Sequence, residues 1–340
     1  MNAVGHQAAE RLRAWLAANV EGVWPDPIEV EVLAGGASNL TLAVRQGDAD
    51  LVVRRPPVDA FLPSAHDMSR EYRFYRALHG TAVPVPRALA YCNDESVLGA
   101  PFYVMERLAG IVPHEAEVLA PFPPERRAAL AERFVEVLAA LHDIDPAAVG
   151  LDGTGRGEGY LERQVARWCD QWARSKAVDV PVVDELGAAL RPALPASPPA
   201  RIVHGDYRLG NVLVAAHDPA RILGVLDWEM ATVGDPLADL GYTVLYWGAA
   251  GALAVHPSQE VADMPGFAAA AEVVERYAAL TGRDVDAVDF YVALASFKLV
   301  VIRQGQLARE RQAGATVPDI EPAYQALAER ALARLRRAVP

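Results

Sequence analysis

Residues 202–214 read IVHGDYRLGNVLV: an apolar pair runs into His204-Gly205-Asp206, and Asn211 opens a second apolar run, Val212-Leu213-Val214. Asp, Gly and Asn are turn formers, so a plain turn between two strands accounts for this loop taken alone. An acid and an amide five residues apart gain meaning only if partners stand elsewhere. One stands nearby. Residues 221–230 read RILGVLDWEM, an apolar strand that ends in Asp227, where a carboxylate is costly unless it binds something. In a hairpin joined by AAHDPAR (215–221), Asn211 and Asp227 fall at the same open end, with Asp206 in the loop beside them. The spacing therefore predicts three convergent oxygen-bearing side chains. Asn plus Asp is a hard-oxygen pair suited to magnesium, which takes its remaining ligands from water and phosphate. A third acid outside the metal pair is what a general base requires.

Composition narrows the classes. The chain has 340 residues, enough for two lobes around a cleft, and 52% of them are hydrophobic, enough for a sizeable core. A formal net charge of −12 argues against nucleic acid and anionic membrane surfaces as partners, though not against a local basic pocket for phosphate. Cys92 and Cys169 are the only cysteines and form no disulfide or metal pattern, which fits a reducing cytoplasm. The first twenty residues lack the pattern of a signal peptide, and the glycine-interrupted apolar run from Thr243 to Val255 is too short to span a bilayer. The expectation is a cytoplasmic protein without a membrane partner.

Working outward, IEVEVL (28–33), NLTLAV (39–44) and DLVVRR (50–55) alternate as strands, joined at Gly35-Gly36 and Gly47-Asp48. A helix is predicted over 64–79, with Ser64 as its cap, Asp67 three residues on and Gly80 as its stop. ALAYC (88–92) and PFYVMERL (101–108) read as two more strands, which makes a five-stranded sheet with one helix. Beyond Gly110, Leu130, Phe134, Val137, Leu138 and Leu141 recur at helical spacing, and a further helix is expected over 160–177. From Asp235 on the chain reads as mostly helical, and Asp235-Pro236 has the chemistry of a helix start. The predicted class is α+β and bilobal. A small antiparallel β-sheet lobe with one main helix spans 1–108, a connector lies near 105–110, and a larger α-rich lobe spans 109–340.

The order HGDxxxxN (204–211), LDWE (226–229), GDPLADL (234–240) resembles the signature of aminoglycoside and choline phosphotransferases, a branch of the protein-kinase-like fold. GGASNLT (35–41), LVVRRPP (51–57), REYRFYRAL (70–78) and PFYVMERLAG (101–110) are similar, in order, to the acyl-CoA-dehydrogenase-associated kinase-like group. The resemblance covers roughly residues 28 to 310 and implies roles. Asp206 would be the catalytic base, Asn211 and Asp227 the magnesium ligands on nucleotide phosphates, His204 a scaffold residue and Asp239 a prop of the catalytic loop. Val52 would line the adenine slot. Arg54 would reach the phosphates where the family usually has lysine, since no lysine precedes Lys176. Arginine can serve as a planar bidentate donor. Alternation sends Arg55 to the opposite face from Arg54. Glu71 shares a helix face with Phe74, Tyr75 and Leu78, and asks for a buried partner, for which Arg54 is the natural one. Gly35, Gly36, Ser38 and Asn39 would cover the triphosphate with backbone amides, and adenine would bond the backbone of Glu106 and Leu108.

The expected activity is magnesium-dependent transfer of the γ-phosphoryl group of ATP or GTP to a hydroxyl of a small metabolite, with hydroxyacyl compounds among the acceptors. Asp235 follows Asp227 within eight residues, which leaves no room for a protein kinase's peptide platform. No GxSxG or HExxH motif marks a hydrolase. An aminoglycoside kinase and a non-catalytic nucleotide-binding protein stay open as alternatives. From Phe290 on, Lys298, Arg303, Arg309, Arg311, Arg330, Arg334, Arg336 and Arg337 outnumber four acids, which leans toward an anionic acceptor.

Overall fold

Alternating β-branched and aromatic residues build the first sheet, and a computed structural model describes it together with the rest of residues 5–33, 39–56, 67–155, 157–176, 179–247, 261–312, 314 and 319–338. Two compact units divide the chain: Met1–Gly110 with Leu223–Ala231, and Ile111–Ile222 with Thr232–Pro340.

The first unit contains α1 (His6–Asn19), β1 (Glu29–Val32), β2 (Leu40–Gln46), β3 (Ala49–Arg55), α2 (Met68–Leu78), β4 (Ala88–Cys92), α3 (Glu95–Leu98) and β5 (Phe102–Glu106). The strands form one antiparallel sheet in the order β1-β2-β3-β5-β4. Val53 stands opposite Leu42 and Val104, and these three join Val44, Leu51 and Phe102 in a buried cluster with Leu12 and Leu16 of α1. That is one face. The period of two sends Val52, Arg54 and Tyr103 to the other, where the ring of Tyr75 from α2 meets Tyr103 at 5.8 Å.

Two expectations shift here. The cap of α2 is Asp67, whose side chain accepts from the Ser69 and Arg70 amides, so the helix starts at Met68. The expected cap, Ser64, lies outside the described residues, as do Gly35, Gly36 and Ser38. Helix α1 was not foreseen; its buried Ala9, Leu12 and Leu16 lie on one stripe that closes the first face. Leu223–Ala231 packs with this unit through the Val225 amide, which donates to the Pro84 carbonyl at 2.8 Å, and through Trp228, stacked on Phe74 at 5.9 Å.

The second unit contains α4 (Ala116–Leu119), α5 (Pro124–Asp143), α6 (Tyr160–Ser175), α7 (Pro181–Leu190), β6 (Arg201–Val203), β7 (Val212–Ala215), most of β8 (Asp218–Val225), β9 (Thr232–Gly234), α8 (Leu237–Tyr246), α9 (Ala270–Thr281), α10 (Val288–Gln312) and α11 (Glu321–Ala338). Helix α5 buries Leu130, Phe134, Val137, Leu138 and Leu141, the residues its spacing picked out. β6 pairs with β9, and β7 with β8. The β7–β8 turn is only Ala216-His217, tighter than the seven-residue link expected, because Asp218–Ala220 already belong to the strand. Helices α8 and α10 approach so closely at Gly241 that a Cβ there would stand 2.7 Å from the Tyr291 carbonyl oxygen.

Candidate active site

In the second unit the loop after β6 is shaped by one acid. Asp239, fully buried in the first turn of α8, accepts from the His204 amide at 2.6 Å and the Gly205 amide at 2.7 Å. Gly205 has φ 84°, a left-handed conformation that a side chain would strain. His142 Nε2 stands 3.3 Å from Asp239, and His142 Nδ1 2.7 Å from the Tyr277 hydroxyl. Burial alone would raise the Asp239 carboxyl, but the donors from His142 and His204 hold it below the usual carboxylate range. Burial pushes His142 down, against the pull of Asp239. Both directions fit a neutral ring that donates from Nε2 to an ionised carboxylate and accepts from the tyrosine at Nδ1. Asp239 is thus a prop for the loop. His204 is scaffold as well: its Nδ1 accepts from the Asp206 amide at 3.2 Å.

The propped loop presents Asp206. Its Oδ2 accepts from Asn211 Nδ2 at 2.7 Å and from Arg208 Nε at 3.4 Å. Asn211 Nδ2 also donates to the Asp206 backbone oxygen at 2.8 Å. Asp206 Oδ1 is buried without a hydrogen-bond partner among the described residues. With its nitrogen committed to Asp206, the Asn211 amide turns its oxygen away from that carboxylate.

One residue of this region was missed. Lys298 of α10 donates to the Gly205 carbonyl, with its ammonium 4.5 Å from the Tyr242 ring centroid and 5.8 Å from that of Trp168. The sequence carried a signal for it. FYVALASFKLVV (290–301) is a helical run of apolar and small residues broken by one lysine, and such a charge asks for an internal partner.

In the first unit, Arg54 is the centre. Its guanidinium pairs with Glu71 through Nη1 and with Asp227 Oδ1 at 2.7 Å through Nη2. Burial by itself would lower the Arg54 guanidinium; the surroundings, with Tyr103, Glu71 and Asp227 foremost, raise it well above its ordinary value. Burial lifts the Glu71 carboxyl to about 7, with Arg54 opposing. Asp227 stands two residues beyond the end of β8, not on the strand itself, with φ 67° and ψ 61°. Its amide donates to the Tyr75 hydroxyl at 3.2 Å.

Of the other predicted positions of this unit, Val52, Glu106, Leu108 and Asn39 lie among the described residues. Val52 is buried opposite Ala43 and Met105. The Glu106 amide donates to the Arg87 carbonyl and its Oε1 accepts from the Arg87 amide, while Leu108 is partly buried. Asn39 donates through its side chain to Glu229 at 3.3 Å.

Asp227 of the first unit offers a carboxylate and Asn211 of the second an amide oxygen, each of a donor type that magnesium accepts. Each donor suits that ion by its chemistry, and a bound magnesium would neutralise phosphate charge.

The chain belongs to the phosphotransferase enzyme family, whose description it matches over residues 29–291. It is 35% identical over 291 residues to acyl-CoA dehydrogenase family member 11 of Gallus gallus, a match covering 83% of this chain and 37% of that protein. Against acyl-CoA dehydrogenase family member 10 of Mus musculus it is 35% identical over 287 residues, covering 83% of this chain and 27% of that protein. The chain thus spans about a third of the length of these relatives. Among solved structures, a Ralstonia eutropha protein provisionally assigned as an aminoglycoside phosphotransferase superposes with TM-score 0.82 at 33% identity, covering 96% of this chain and 98% of that one. A thermostable mutant of aminoglycoside phosphotransferase APH(4)-Ia, in a ternary complex with ADP and hygromycin B, shares the fold at TM-score 0.61 and 18% identity, covering 98% of this chain and 99% of that one. The fold is therefore the kinase-like α+β fold of the aminoglycoside phosphotransferases. Among the described residues no helix is long and apolar enough to cross a membrane.

Proposed function

We propose that this chain is a magnesium-dependent small-molecule kinase that moves the γ-phosphoryl group of ATP or GTP to a hydroxyl of a cytoplasmic metabolite. The observation that carries this reading is Asp206: one carboxylate oxygen is tied to Asn211 and Arg208, and the other is without a hydrogen-bond partner among the described residues. A base needs such an atom, held in direction and without a competing donor, and acceptor binding has to bring the hydroxyl to this buried oxygen. As the acceptor oxygen bonds to phosphorus, Asp206 takes the hydroxyl proton, and the bond to the leaving diphosphate breaks with its electrons. Asn211 and Asp227 are the magnesium ligands in this reading, Arg54 the phosphate ligand, and Glu71 the acid that holds Arg54. Val52 and the backbone of Glu106 and Leu108 serve the purine. Asn39, and by the resemblance Gly35, Gly36 and Ser38 outside the described residues, are assigned to the triphosphate in this reading.

For the acceptor we favour an anionic or acyl-linked hydroxy compound over a polycation. The named relatives are acyl-CoA dehydrogenase family members, and the late helices carry a basic excess, although Arg303, Arg334, Arg336 and Arg337 pair with acids and Lys298 with the Gly205 carbonyl. The test offers purified protein Mg-ATP or Mg-GTP with hydroxy acids, their CoA thioesters, and kanamycin-like amines. Turnover of the hydroxy compounds supports the reading. Efficient turnover of the amines alone reverses the acceptor choice, and nucleotide binding without any phosphoryl transfer assigns a non-catalytic role.

A further inference from the structure

We propose that Lys298 is a positioning residue for the catalytic loop: it fixes the peptide that precedes Asp206 and so sets the direction of the Asp206 carboxylate. The proposal rests on Asp206 being the base, but the clamp can be tested without that assignment. Gly205, with φ 84°, is the pivot at which the chain turns from β6 toward Asp206. No sheet or helix hydrogen bond fixes the pivot. Its amide is held by Asp239 from α8 at 2.7 Å, and its carbonyl by Lys298 from α10. The two clamps come from two helices locked together at Gly241. Without Lys298 the peptide keeps one tether and can swing about it.

Energetics argue that the lysine is there for its charge. An ammonium among Tyr242, Trp168 and the apolar residues of α10 is desolvated, and a methionine would fill the same space without that cost. Packing alone does not explain it. Nor does a ligand: the pocket that Lys298 shares with Gly205, Trp168 and Tyr242 has a volume of about 30 Å³, room for a water or two and not for a metabolite. The cation is spent on the loop. Among the ionised groups facing it, Asp206 and Asp239 stabilise the ammonium and Arg167 of α6 opposes it.

The test compares the wild-type chain with Lys298→Met and Lys298→Ala. In hydrogen exchange read by mass spectrometry, peptides covering 203–208 in Lys298→Met should exchange about tenfold faster, the scale of one lost charge-assisted hydrogen bond, with the rest of the chain unchanged. Unchanged protection of that loop overturns the proposal. In Mg-ATP turnover, kcat should fall roughly a hundredfold, as expected for a misplaced catalytic group, with KM for the nucleotide held. Added ethylammonium should restore part of the loss in Lys298→Ala, because the vacated space accepts the missing ammonium. A turnover loss expressed wholly in nucleotide KM, or no rescue by the amine, overturns the positioning role. Asp206→Asn is run in parallel. If it turns over like wild type, the base assignment falls and loop exchange alone decides Lys298. If Lys298→Met does not fold, loop exchange in Lys298→Ala decides by the same criterion.

Discussion

Asp227 takes the second guanidinium nitrogen of Arg54 at 2.7 Å while standing in a left-handed backbone conformation that no other described non-glycine residue adopts. Such a conformation costs on the order of 1 kcal/mol or more and persists only where its surroundings enforce it. Here the Tyr75 hydroxyl holds the Asp227 amide and Arg54 holds the carboxylate. The strain and the buried arginine are explained together if the turn exists to present a carboxylate to a cation.

Arg54→Ala should weaken Mg-ATP binding by at least tenfold, while Arg55→Ala leaves it within about twofold. A charge-assisted contact to phosphate is worth roughly 1.5–3 kcal/mol, and only Arg54 lies on the Glu71 and Asp227 side. Arg55 bonds the Pro56 carbonyl at 3.2 Å instead. Isothermal calorimetry with Mg-ATP reads both. Reversed effects would assign the phosphates to the other face of β3.

Asp227→Ala should abolish the magnesium dependence of nucleotide binding, because Asn211 alone is a neutral, weak ligand for a hard cation. Titrating ATP with and without magnesium against wild type and variant gives the answer. Equal magnesium dependence in the two proteins would remove Asp227 from the metal site.

Asp206→Asn should lower turnover by roughly a hundredfold or more, the range for losing a general base, with nucleotide affinity little changed. The amide keeps the shape of the carboxylate but gives Oδ1 no basicity. Near-normal phosphoryl transfer to the true acceptor would move the base elsewhere.

Much of this arrangement is legible in the residues themselves. Strands β1 to β5 follow period-two alternation closely enough that each falls within a residue or two of its predicted run. Glu71 on an apolar helix face announces a buried cation, and Arg54 is that cation. Other features leave weaker traces. The cap of α2 moves because Asp67 competes with Ser64 by local bonding, which spacing alone does not rank. The grouping of Leu223–Ala231 with the first unit depends on contacts such as Val225 with Pro84, far apart in sequence. Arg55, as buried as Arg54 at 8% exposure, reads as one more strand charge. Lys298 falls into a basic total, although its apolar neighbours along α10 already mark it as internal.

His142 makes the loop sensitive to acid, and the sign follows from the direction of its shift. Its folded pKa lies below its ordinary value because burial disfavours the charged ring. The unfolded chain therefore binds a proton that the folded chain refuses, and stability falls as pH drops below about 6.5. Asp239 acts in the same sense at lower pH: its carboxyl is held below the usual range, so its contribution is present above that range and is lost as pH falls through the folded value. The two acid losses should come in that order. Within the His142 window the loss approaches about 1.4 kcal/mol per pH unit for this one group. His142→Gln replaces the ring with a neutral amide that can still donate to Asp239, so it should remove this component and flatten the dependence between about pH 7 and 5. Denaturant unfolding of both proteins across that range makes the comparison. Curves that are offset but parallel would mean that another group takes up the proton, and the neutral His142 beside an ionised Asp239 would have to be given up.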